Sequence, residues 1–387
     1  MHTSATHVGL SAYLLSGQSG YRSAGINGYI YHLIQALPDA DPAFTYTLMT
    51  GSQAVIPPDD RLRVRRTPWA MGRPLRRIAW EQTMQPATIV RAGFDLLHAL
   101  AFVTPVLAAL PSVVTVYDLS FVHYPQVLPA ARRLYLRLLT RWSCQRAQRV
   151  IAISESTARD VAVTFGLPAS KIDVAVPGVG AQFRPLPPDT IADFRQQKGL
   201  PERFLLFVGT LEPRKNLPVL LRAYAGLPAQ DRARVHLVLA GGKGWMFEEI
   251  FRTIEAHDLG GTVHLSGYVP AEELPLWYNA AEAFVYPSLF EGFGLPVVEA
   301  MACGVPVLVS DVSSLPEAAG DTGYLLPPHD PAAWTAALAR AIQDAGWRAG
   351  AGQRGRERAA RFTWDHTARA TVASYRRALD GTMEEAV

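Results

Sequence analysis

Two glutamates, Glu291 and Glu299, stand eight residues apart in the stretch SLFEGFGLPVVEAMACGVPV (residues 288–307). The apolar run before them predicts a strand that ends near residue 288. Pro296 suits the first position of a helix, where its missing N–H costs nothing. The loop between strand and helix consists of Gly292, Phe293, Gly294 and Leu295. Its backbone N–H groups and the positive end of the helix dipole would favour an anion, and its glycines would let a ligand approach closely.

The two carboxylates restrict what that anion can be. Because Glu291 and Glu299 would repel a bare phosphate, they are better suited to accept hydrogen bonds from neutral hydroxyl groups, which sugars supply. The pattern therefore predicts a nucleotide sugar, in which a phosphate has polyols on both sides. One alternative is a helix start with two incidental glutamates. A dinucleotide fingerprint is disfavoured because Val297 occupies its sixth position, where a glycine belongs.

A second loop carries cations. In FVGTLEPRKNL (207–217), Arg214 and Lys215 follow Pro213 where a buried strand ends, and Asn216 is predicted to cap the next helix. Such a pair could neutralise a leaving diphosphate without a metal, and arginine would do so in a bidentate way. An exposed basic turn is the alternative, but an anion loop and a cation loop in one half of the chain make coincidence harder to accept.

The first half of the chain offers weaker candidates. Gly25 lies in a turn that opens a helix and could admit a substrate close to the backbone. Tyr117 and Asp118 end the buried strand VTVYD and would place a hydroxyl and a carboxylate at the edge of the sheet. His98 ends another strand, where a lone histidine is more often a hydrogen-bonded structural residue than a ligand contact.

These candidates require a scaffold of alternating strands and helices. Short β-branched runs alternate with segments of helical spacing, which predicts parallel sheets covered by helices on both faces. The predicted strands are 112–118, 149–154, 203–209, 235–242, 262–267, 283–288 and 305–311. A proline-rich linker (184–190) interrupts the alternation, so the predicted fold class is α/β with two doubly wound, Rossmann-like domains. We expect the ligand in the cleft between them, beyond the carboxyl ends of the strands.

Composition limits the class of protein. The chain of 387 residues is longer than one hydrophobic core usually supports, which favours two domains. Its composition, 49% apolar and 18% charged, is too apolar for a disordered protein. We expect neither a signal peptide nor a membrane span, and we expect Cys144 and Cys303 to be reduced thiols of a cytoplasmic protein. The only D-x-D sequence, Asp39-Ala-Asp41, is interpreted as a proline-flanked loop and not as a metal site.

Arginine is concentrated in two segments of the first half. Arg61–Trp80 contains seven arginines, two tryptophans and no acid. Ala131–Arg149 contains six arginines on a predicted helix with an apolar stripe of Leu134, Leu138 and Trp142. This mixture suits the surface of an anionic membrane, whereas nucleic acid is disfavoured as a partner. A solvated arginine face without a partner is the alternative.

Together these motifs resemble those of the retaining glycosyltransferases of the family-four type, which have the GT-B fold. EGFGLPVVEAMACGVPV matches that family's E-x7-E signature and FVGTLEPRKNL its phosphate-binding segment, and the likeness covers nearly the whole chain. The resemblance implies that Glu291 contacts the donor hexose and Glu299 the ribose hydroxyls. It assigns the diphosphate to Arg214 and Lys215. It also implies donor contacts at Gly25, Glu212, Tyr268, Val269, Gly294 and Leu295, of which Tyr268 and Val269 lie in the base-binding segment.

The resemblance also implies an organisation. The predicted domains are residues 1–186, which would bind the acceptor, and residues 187–365, which would bind the nucleotide sugar. Residues 366–387 form a final helix that would cross back onto the first domain. Tyr117 departs from the pattern, because many relatives have histidine there, and a phenol can donate but cannot take up a proton near neutral pH.

The implied reaction is transfer of a hexose with retention of configuration and without a required metal. GTLEPRKNL and GGKGW are most similar to bacterial mannosyl- and rhamnosyltransferases of surface polysaccharide and lipopolysaccharide assembly. This favours GDP-mannose as donor and a glycan or lipid-linked acceptor, at the inner face of the cytoplasmic membrane. A UDP-sugar donor and a non-catalytic partner subunit are the alternatives. A nucleotide-binding oxidoreductase is disfavoured because no glycine fingerprint follows a first strand.

Overall fold

The computed structural model describes residues 5–15, 25–56, 58–69 and 71–384, which form two compact units. Unit 1 comprises Met1–Gly178 and Trp364–Val387, and unit 2 comprises Val179–Thr363. The helices are α1 Ile26–Ala40, α2 Pro74–Ala79, α3 Gln85–Ala92, α4 Ser120–His123, α5 Ala130–Arg146, α6 Glu155–Phe165, α7 Pro188–Lys198, α8 Leu217–Ala225, α9 Ala229–Arg234, α10 Glu248–Ala256, α11 Leu274–Ala280, α12 Leu295–Ala302, α13 Leu315–Ala319, α14 Pro331–Gln343, α15 Ala345–Ala359 and α16 Trp364–Glu384.

Unit 1 is built on a parallel sheet of seven strands. They are β1 Thr6–Ser11, β2 Phe44–Thr50, β3 Leu62–Arg66, β4 Leu96–Ala99, β5 Ser112–Val116, β6 Arg149–Ala152 and β7 Ile172–Val174, in the spatial order β3-β2-β1-β4-β5-β6-β7. The central strands β4 and β5 are buried along their whole length, as apolar strands covered on both faces should be. The strand order reverses between β1 and β4, which makes that edge of the sheet a switch point.

Unit 2 repeats the design with six parallel strands. They are β8 Phe204–Val208, β9 His236–Ala240, β10 Val263–Gly267, β11 Ala283–Tyr286, β12 Val307–Ser310 and β13 Tyr324–Leu326, in the order β10-β9-β8-β11-β12-β13. Here the order reverses between β8 and β11. The loops that leave these two neighbouring strands contain the predicted cation pair and the first predicted glutamate, although they lie far apart in sequence.

The final helix, α16, belongs to unit 1 and packs against α1 and β5–β7. Its Tyr375 hydroxyl lies 2.6 Å from His98 Nδ1, and His98 Nε2 lies 2.8 Å from the Thr115 hydroxyl. Burial lowers the pKa of His98 to about 3, so the ring is neutral and fastens α16 to β4 and β5. This is the structural role that we expected of a lone histidine at a strand end.

Three local predictions are wrong. Asp39 is not in a loop, because α1 continues through Pro38 and the carboxylate pairs with Arg61 at 2.6 Å. Asn216 does not cap α8 with its side chain, whose amide instead donates to the carbonyls of Pro287 and Pro328. Helix α12 begins one residue before Pro296.

Candidate active site

The two predicted loops meet at the switch point of unit 2. Arg214 and Lys215 lie on a short 3-10 turn after β8, and Glu291 follows β11. The backbone N–H of Leu289 donates to the Arg214 carbonyl at 2.8 Å and joins the loops directly. Since β8 and β11 are hydrogen-bonded neighbours, side chains at their carboxyl ends are brought together by the sheet itself.

A buried ion cluster occupies this junction. Lys215 Nζ lies 2.6 Å from Glu291 Oε1, and Arg214 Nη1 lies 2.9 Å from Glu291 Oε2. The Lys215 ammonium also donates to the Tyr286 hydroxyl at 2.7 Å. The side chains of Lys215 and Glu291 are only 7% and 11% exposed, so neither charge is extensively screened by water.

The neighbours decide how each group of the cluster titrates. Burial alone would raise the pKa of Glu291, but the attraction of Arg214 and Lys215 outweighs it and brings the pKa down to about 2. Burial lowers the pKa of Lys215 from its ordinary value, although Glu291 opposes that shift. The cluster therefore holds two cations around one permanently ionised carboxylate.

A second carboxylate continues the network. Glu212 Oε1 lies 2.8 Å from Arg214 Nη2, and Glu212 Oε2 accepts a hydrogen bond from Trp245 Nε1 at 3.2 Å. The loop after β9 can supply this tryptophan because its backbone runs beside the loop after β8. At Gly241 a Cβ atom would lie 1.9 Å from the Gly209 carbonyl oxygen, so only glycine permits this approach.

The loop Gly292–Gly294 leads into α12, which begins at Leu295. Gly294 has a φ of 102°, and a Cβ there would lie 2.8 Å from a methyl carbon of Leu315, so the position requires glycine. Phe293 is buried against Phe362 with 5.4 Å between ring centroids. Anchored in this way, the loop ends at the N-terminus of an eight-residue helix, which begins four residues after Glu291.

Glu299 is the second glutamate of the motif and lies within α12. Its Oε2 accepts a hydrogen bond from the Tyr278 hydroxyl at 2.9 Å. Burial raises the pKa of Glu299 to about 7, and the Tyr278 hydrogen bond only partly opposes this. The two motif glutamates therefore differ near neutral pH, because Glu291 is fixed as a carboxylate while Glu299 is close to its midpoint.

The remaining predicted residues lie in different surroundings. Tyr268 is 45% exposed just after β10, and Val269 next to it is half-buried. Gly25 immediately precedes α1 with a φ of 66°, and a Cβ added there would meet no heavy atom of the described residues within 4 Å. Tyr117 is buried, donates its hydroxyl to the Leu100 carbonyl at 2.6 Å, and has a pKa raised by burial well above its ordinary value. A direct catalytic role for Tyr117 stays a prediction.

Sequence patterns missed several residues that hold the site in place. The Ser313 and Ser314 hydroxyls both donate to the Glu291 carbonyl, at 2.6 and 2.9 Å, and Ser313 Oγ also accepts from the Glu291 N–H. Tyr286 and Tyr278 are the hydroxyl partners of Lys215 and Glu299. Ser313 has a φ of 58°, but serines after an ordinary buried strand give no sequence signal of this role.

Two further observations concern metal ions and membranes. Across the described ranges, no three His, Cys, Asp or Glu side chains gather in a way that could hold a metal ion. None of the helices that the structure describes has both the length and the hydropathy needed to span a bilayer.

The comparisons with known proteins identify the family of this chain. Residues 23–183 match the family model described as Glycosyltransferase Family 4, and residues 190–358 match Glycosyl transferases group 1. O-antigen chain mannosyltransferase B of Escherichia coli is 36% identical over 266 residues, which are 68% of this chain and 70% of that enzyme. The chain belongs to the family-four glycosyltransferases, as the E-x7-E motif and the arginine–lysine loop predicted, and is therefore a glycosyltransferase.

A longer relative and a solved structure complete the comparison. Serotype-specific mannosyltransferase WbdA of Escherichia coli is 31% identical over 260 residues, 66% of this chain but only 32% of WbdA. Sucrose-phosphate synthase from Thermosynechococcus elongatus superposes with a TM-score of 0.78 at 25% identity, covering 97% of this chain and 100% of that chain. The prediction of two Rossmann-like domains in a GT-B fold is confirmed.

Proposed function

We propose that this glycosyltransferase moves mannose from GDP-mannose to a hydroxyl of a glycan or lipid-linked acceptor, with retention of configuration, in the synthesis of a surface polysaccharide. The observation that carries the proposal is the buried cluster of Arg214, Lys215 and Glu291 beside the N-terminus of α12. The names of the Escherichia coli relatives support mannose as the sugar.

The cluster is suited to stabilise the negative charge of a leaving diphosphate. Arg214 and Lys215 would bind the diphosphate oxygens, and the α12 N-terminus would add backbone donors, so charge that develops on the leaving group is stabilised. When the diphosphate takes over the two cations, Glu291 becomes available to accept hydrogen bonds from hexose hydroxyls. Glu299 and the protonated Tyr278 would contact the ribose.

Retention follows from attack on the face that the leaving group vacates. The bond between the anomeric carbon and the diphosphate oxygen breaks while the acceptor oxygen bonds to that carbon on the same face. The proton of the acceptor hydroxyl passes to the departing phosphate oxygen, so no protein base is needed. Glu291 would serve in this step only as a hydrogen-bond acceptor for the hexose and would take up no proton.

The donor is tested by a thermal-shift panel of GDP, UDP, ADP and NAD at equal concentration. A ligand that binds only the native state raises the melting temperature by mass action, so the panel ranks the affinities. We expect the largest rise with GDP, followed by mannose transfer from GDP-mannose to an acceptor extract. A rise with UDP alone would show that the donor is a UDP-sugar and not GDP-mannose. A rise with NAD alone would favour an oxidoreductase, and no rise with any nucleotide would favour a non-catalytic subunit.

We also propose that unit 1 contacts an anionic membrane at the cytoplasmic side. The outer surface of the Arg61–Trp80 segment includes exposed Arg73, Arg76 and Leu75, the last 81% exposed. Leu134 and Leu138 of α5 are also more than half exposed, so the apolar stripe of that helix does not enter the core. Exposed basic and apolar side chains of this kind favour anionic lipid.

The membrane proposal is tested with vesicles. Arg73→Glu/Arg76→Glu should lose binding to vesicles of anionic lipid while leaving GDP binding unchanged. Arg77 is left intact because its guanidinium is mostly buried and pairs with Glu81. Equal vesicle binding by variant and wild type would contradict a membrane role for this surface.

A further inference from the structure

The segment GGKGW (residues 241–245) follows β9 and is joined to the loop that carries the cation pair. The Leu211 N–H donates to the Gly242 carbonyl at 2.9 Å, and the Gly244 N–H donates to the Leu211 carbonyl at 3.0 Å. Leu211 and Lys243 therefore form a parallel bridge beyond the ends of β8 and β9. Because the two loops are hydrogen-bonded along their backbones, the position of a side chain on one loop is fixed relative to the other.

Gly244 brings the two loops into direct contact. A Cβ atom at this position would lie 2.7 Å from the Thr210 methyl carbon and 2.9 Å from the Leu211 carbonyl oxygen, so a larger residue would push the loops apart. Two residues later, Met246 adopts a φ of 49° and is 63% exposed. A non-glycine residue in the left-handed region is strained, and such strain is often found at functional sites. The backbone around Trp245 is therefore constrained on both sides.

Trp245 directs its indole toward the carboxylate of Glu212. Its Nε1–H donates to Glu212 Oε2 at 3.2 Å. The other oxygen, Glu212 Oε1, accepts from Arg214 Nε at 3.0 Å and lies 2.8 Å from Arg214 Nη2. The side chains of Glu212 and Arg214 are only 12% and 16% exposed. Hydrogen bonds of ionised groups with so little water nearby are strong and directional, so the carboxylate links the indole to the guanidinium.

The guanidinium of Arg214 is held along one edge by Glu212 and reaches the ion cluster with the other. Its Nη1 donates to Glu291 Oε2 at 2.9 Å. Because the guanidinium is planar and rigid, the pairing of one edge determines where the other edge points. A rotation of the Glu212 carboxylate would turn the whole group. The Trp245 hydrogen bond opposes that rotation, since it engages the second oxygen of Glu212.

We propose that Trp245 is a positioning residue for sugar transfer: acting through Glu212, it fixes the orientation in which the Arg214 guanidinium meets the leaving diphosphate. The proposal rests on the proposed function, which assigns the diphosphate to Arg214. Negative charge on the diphosphate increases as its bond to the anomeric carbon breaks, and a misdirected cation stabilises that charge less. Trp245 touches no reacting atom in this account, so its loss should lower kcat and leave KM for the donor nearly unchanged.

The first test is Trp245→Phe, which keeps an aromatic ring and removes the N–H donor. We expect kcat for transfer from GDP-mannose to fall about tenfold, which corresponds to about 1.4 kcal/mol of transition-state stabilisation. KM for GDP-mannose should stay within about twofold of the wild-type value. An unchanged kcat, or a loss that appears only as a higher donor KM, would overturn the proposal.

The matched control is Trp277→Phe. Trp277 Nε1 donates to Glu273 Oε2 at 3.3 Å, and Glu273 pairs with Lys198 at 2.8 Å, so the same order of indole, carboxylate and cation occurs elsewhere in unit 2. Trp277→Phe should leave kcat and KM as in wild type. An equal fall of kcat in both variants would mean that losing any such hydrogen bond disturbs unit 2, and it would refute a specific role of Trp245.

A double-mutant cycle tests the route through Glu212. Glu212→Gln keeps the length of the side chain, removes its charge and replaces one oxygen with an amide nitrogen. If Trp245 acts through this carboxylate, Trp245→Phe/Glu212→Gln should be no slower than Glu212→Gln alone. Additive losses would show that Trp245 acts by another route, which contradicts the proposal.

An NMR experiment gives a readout that does not depend on sugar transfer. The indole N–H signal of Trp245 is assigned by its absence from the spectrum of Trp245→Phe. Saturating GDP should shift this signal, because a diphosphate on Arg214 changes the charge beside Glu212, while the Trp277 signal stays in place. UDP takes the place of GDP if UDP alone raises the melting temperature.

The two proposals fail in different ways. If a nucleotide raises the melting temperature but neither moves the Trp245 signal nor is matched by a lower kcat in Trp245→Phe, the positioning role is wrong and the transferase survives. If no nucleotide of the thermal-shift panel raises the melting temperature, the proposed function is wrong, and the role of Trp245 is wrong with it.

Discussion

Replacing Glu291 by glutamine removes one charge from the buried ion cluster and keeps the shape of the side chain. The carboxylate lies 2.6 Å from Lys215 Nζ and 2.9 Å from Arg214 Nη1, so the substitution leaves two cations close together without their shared anion. Breaking a buried pair in this way is strongly destabilising, because a desolvated charge remains uncompensated. Glutamine is preferable to alanine, which would also open a cavity.

The pKa of Glu291 sets the size of the effect. Burial opposes ionisation, yet Arg214 and Lys215 lower the pKa from 4.5 to about 2, which corresponds to about 3 kcal/mol of stabilisation. Since the folded-state pKa is depressed, this stabilisation is fully present above pH 4.5 and is lost as the pH falls toward 2. At pH 7 the melting temperature of unit 2 should therefore drop by about 6–12 °C.

The same substitution should strengthen the binding of free nucleotide. Glu291 is paired with the two cations that the proposed mechanism assigns to the diphosphate, so Glu291→Gln should bind GDP roughly tenfold more tightly, about 1.4 kcal/mol. Transfer of the sugar should nevertheless be lost, because the hexose hydroxyls lose the carboxylate proposed to accept their hydrogen bonds. Melting by calorimetry, titration with GDP and a transfer assay measure the three effects on one preparation.

The control is Glu273→Gln, which breaks the more exposed pair with Lys198 at 2.8 Å and should cost under about 1 kcal/mol. In Glu291→Gln/Lys215→Met one of the stranded cations is also removed, so stability should partly return while activity does not. A Glu291→Gln protein with an unchanged melting temperature and weaker GDP binding would refute the charge argument.

Three further predictions concern neighbouring parts of the fold. Gly294→Ala should lower GDP affinity and cost about 1–3 kcal/mol of stability, as measured by titration and melting, because a Cβ at φ 102° would lie 2.8 Å from a Leu315 methyl carbon. His98→Ala should cost about 3 kcal/mol or more in the melting of unit 1, since it strands the buried Tyr375 and Thr115 hydroxyls, and unchanged melting would contradict this. Burial raises the Glu299 pKa to about 7, so its contribution to stability is present below pH 4.5 and lost as the pH rises through 7. Glu299→Gln should therefore flatten the fall in melting temperature between pH 5 and pH 8, and a parallel fall in both proteins would argue against it.

Much of the fold could be predicted from the sequence because its signals are local. All seven predicted strands are present, each shortened at one or both ends, since buried β-branched runs are apolar along their whole length. The turn glycines and the proline of α12 predicted the position of the loop before this helix to within one residue. Errors occurred where a residue's partner is distant in sequence: Asn216 resembles a helix cap, but its amide binds the carbonyl of Pro328 instead.

The ion cluster shows the same division between local and distant information. The composition of each loop indicated a cation pair and a carboxylate, but not that Glu291 would be bound by both cations before any ligand arrives. That pairing depends on the adjacency of β8 and β11, which a list of predicted strands does not contain. Under the proposed function this pairing has a consequence, because a diphosphate that binds Arg214 and Lys215 would have to displace Glu291. In the proposed mechanism, binding of the leaving group and release of Glu291 toward the sugar are one event, which is why GDP affinity and sugar transfer should move in opposite directions when Glu291 is replaced.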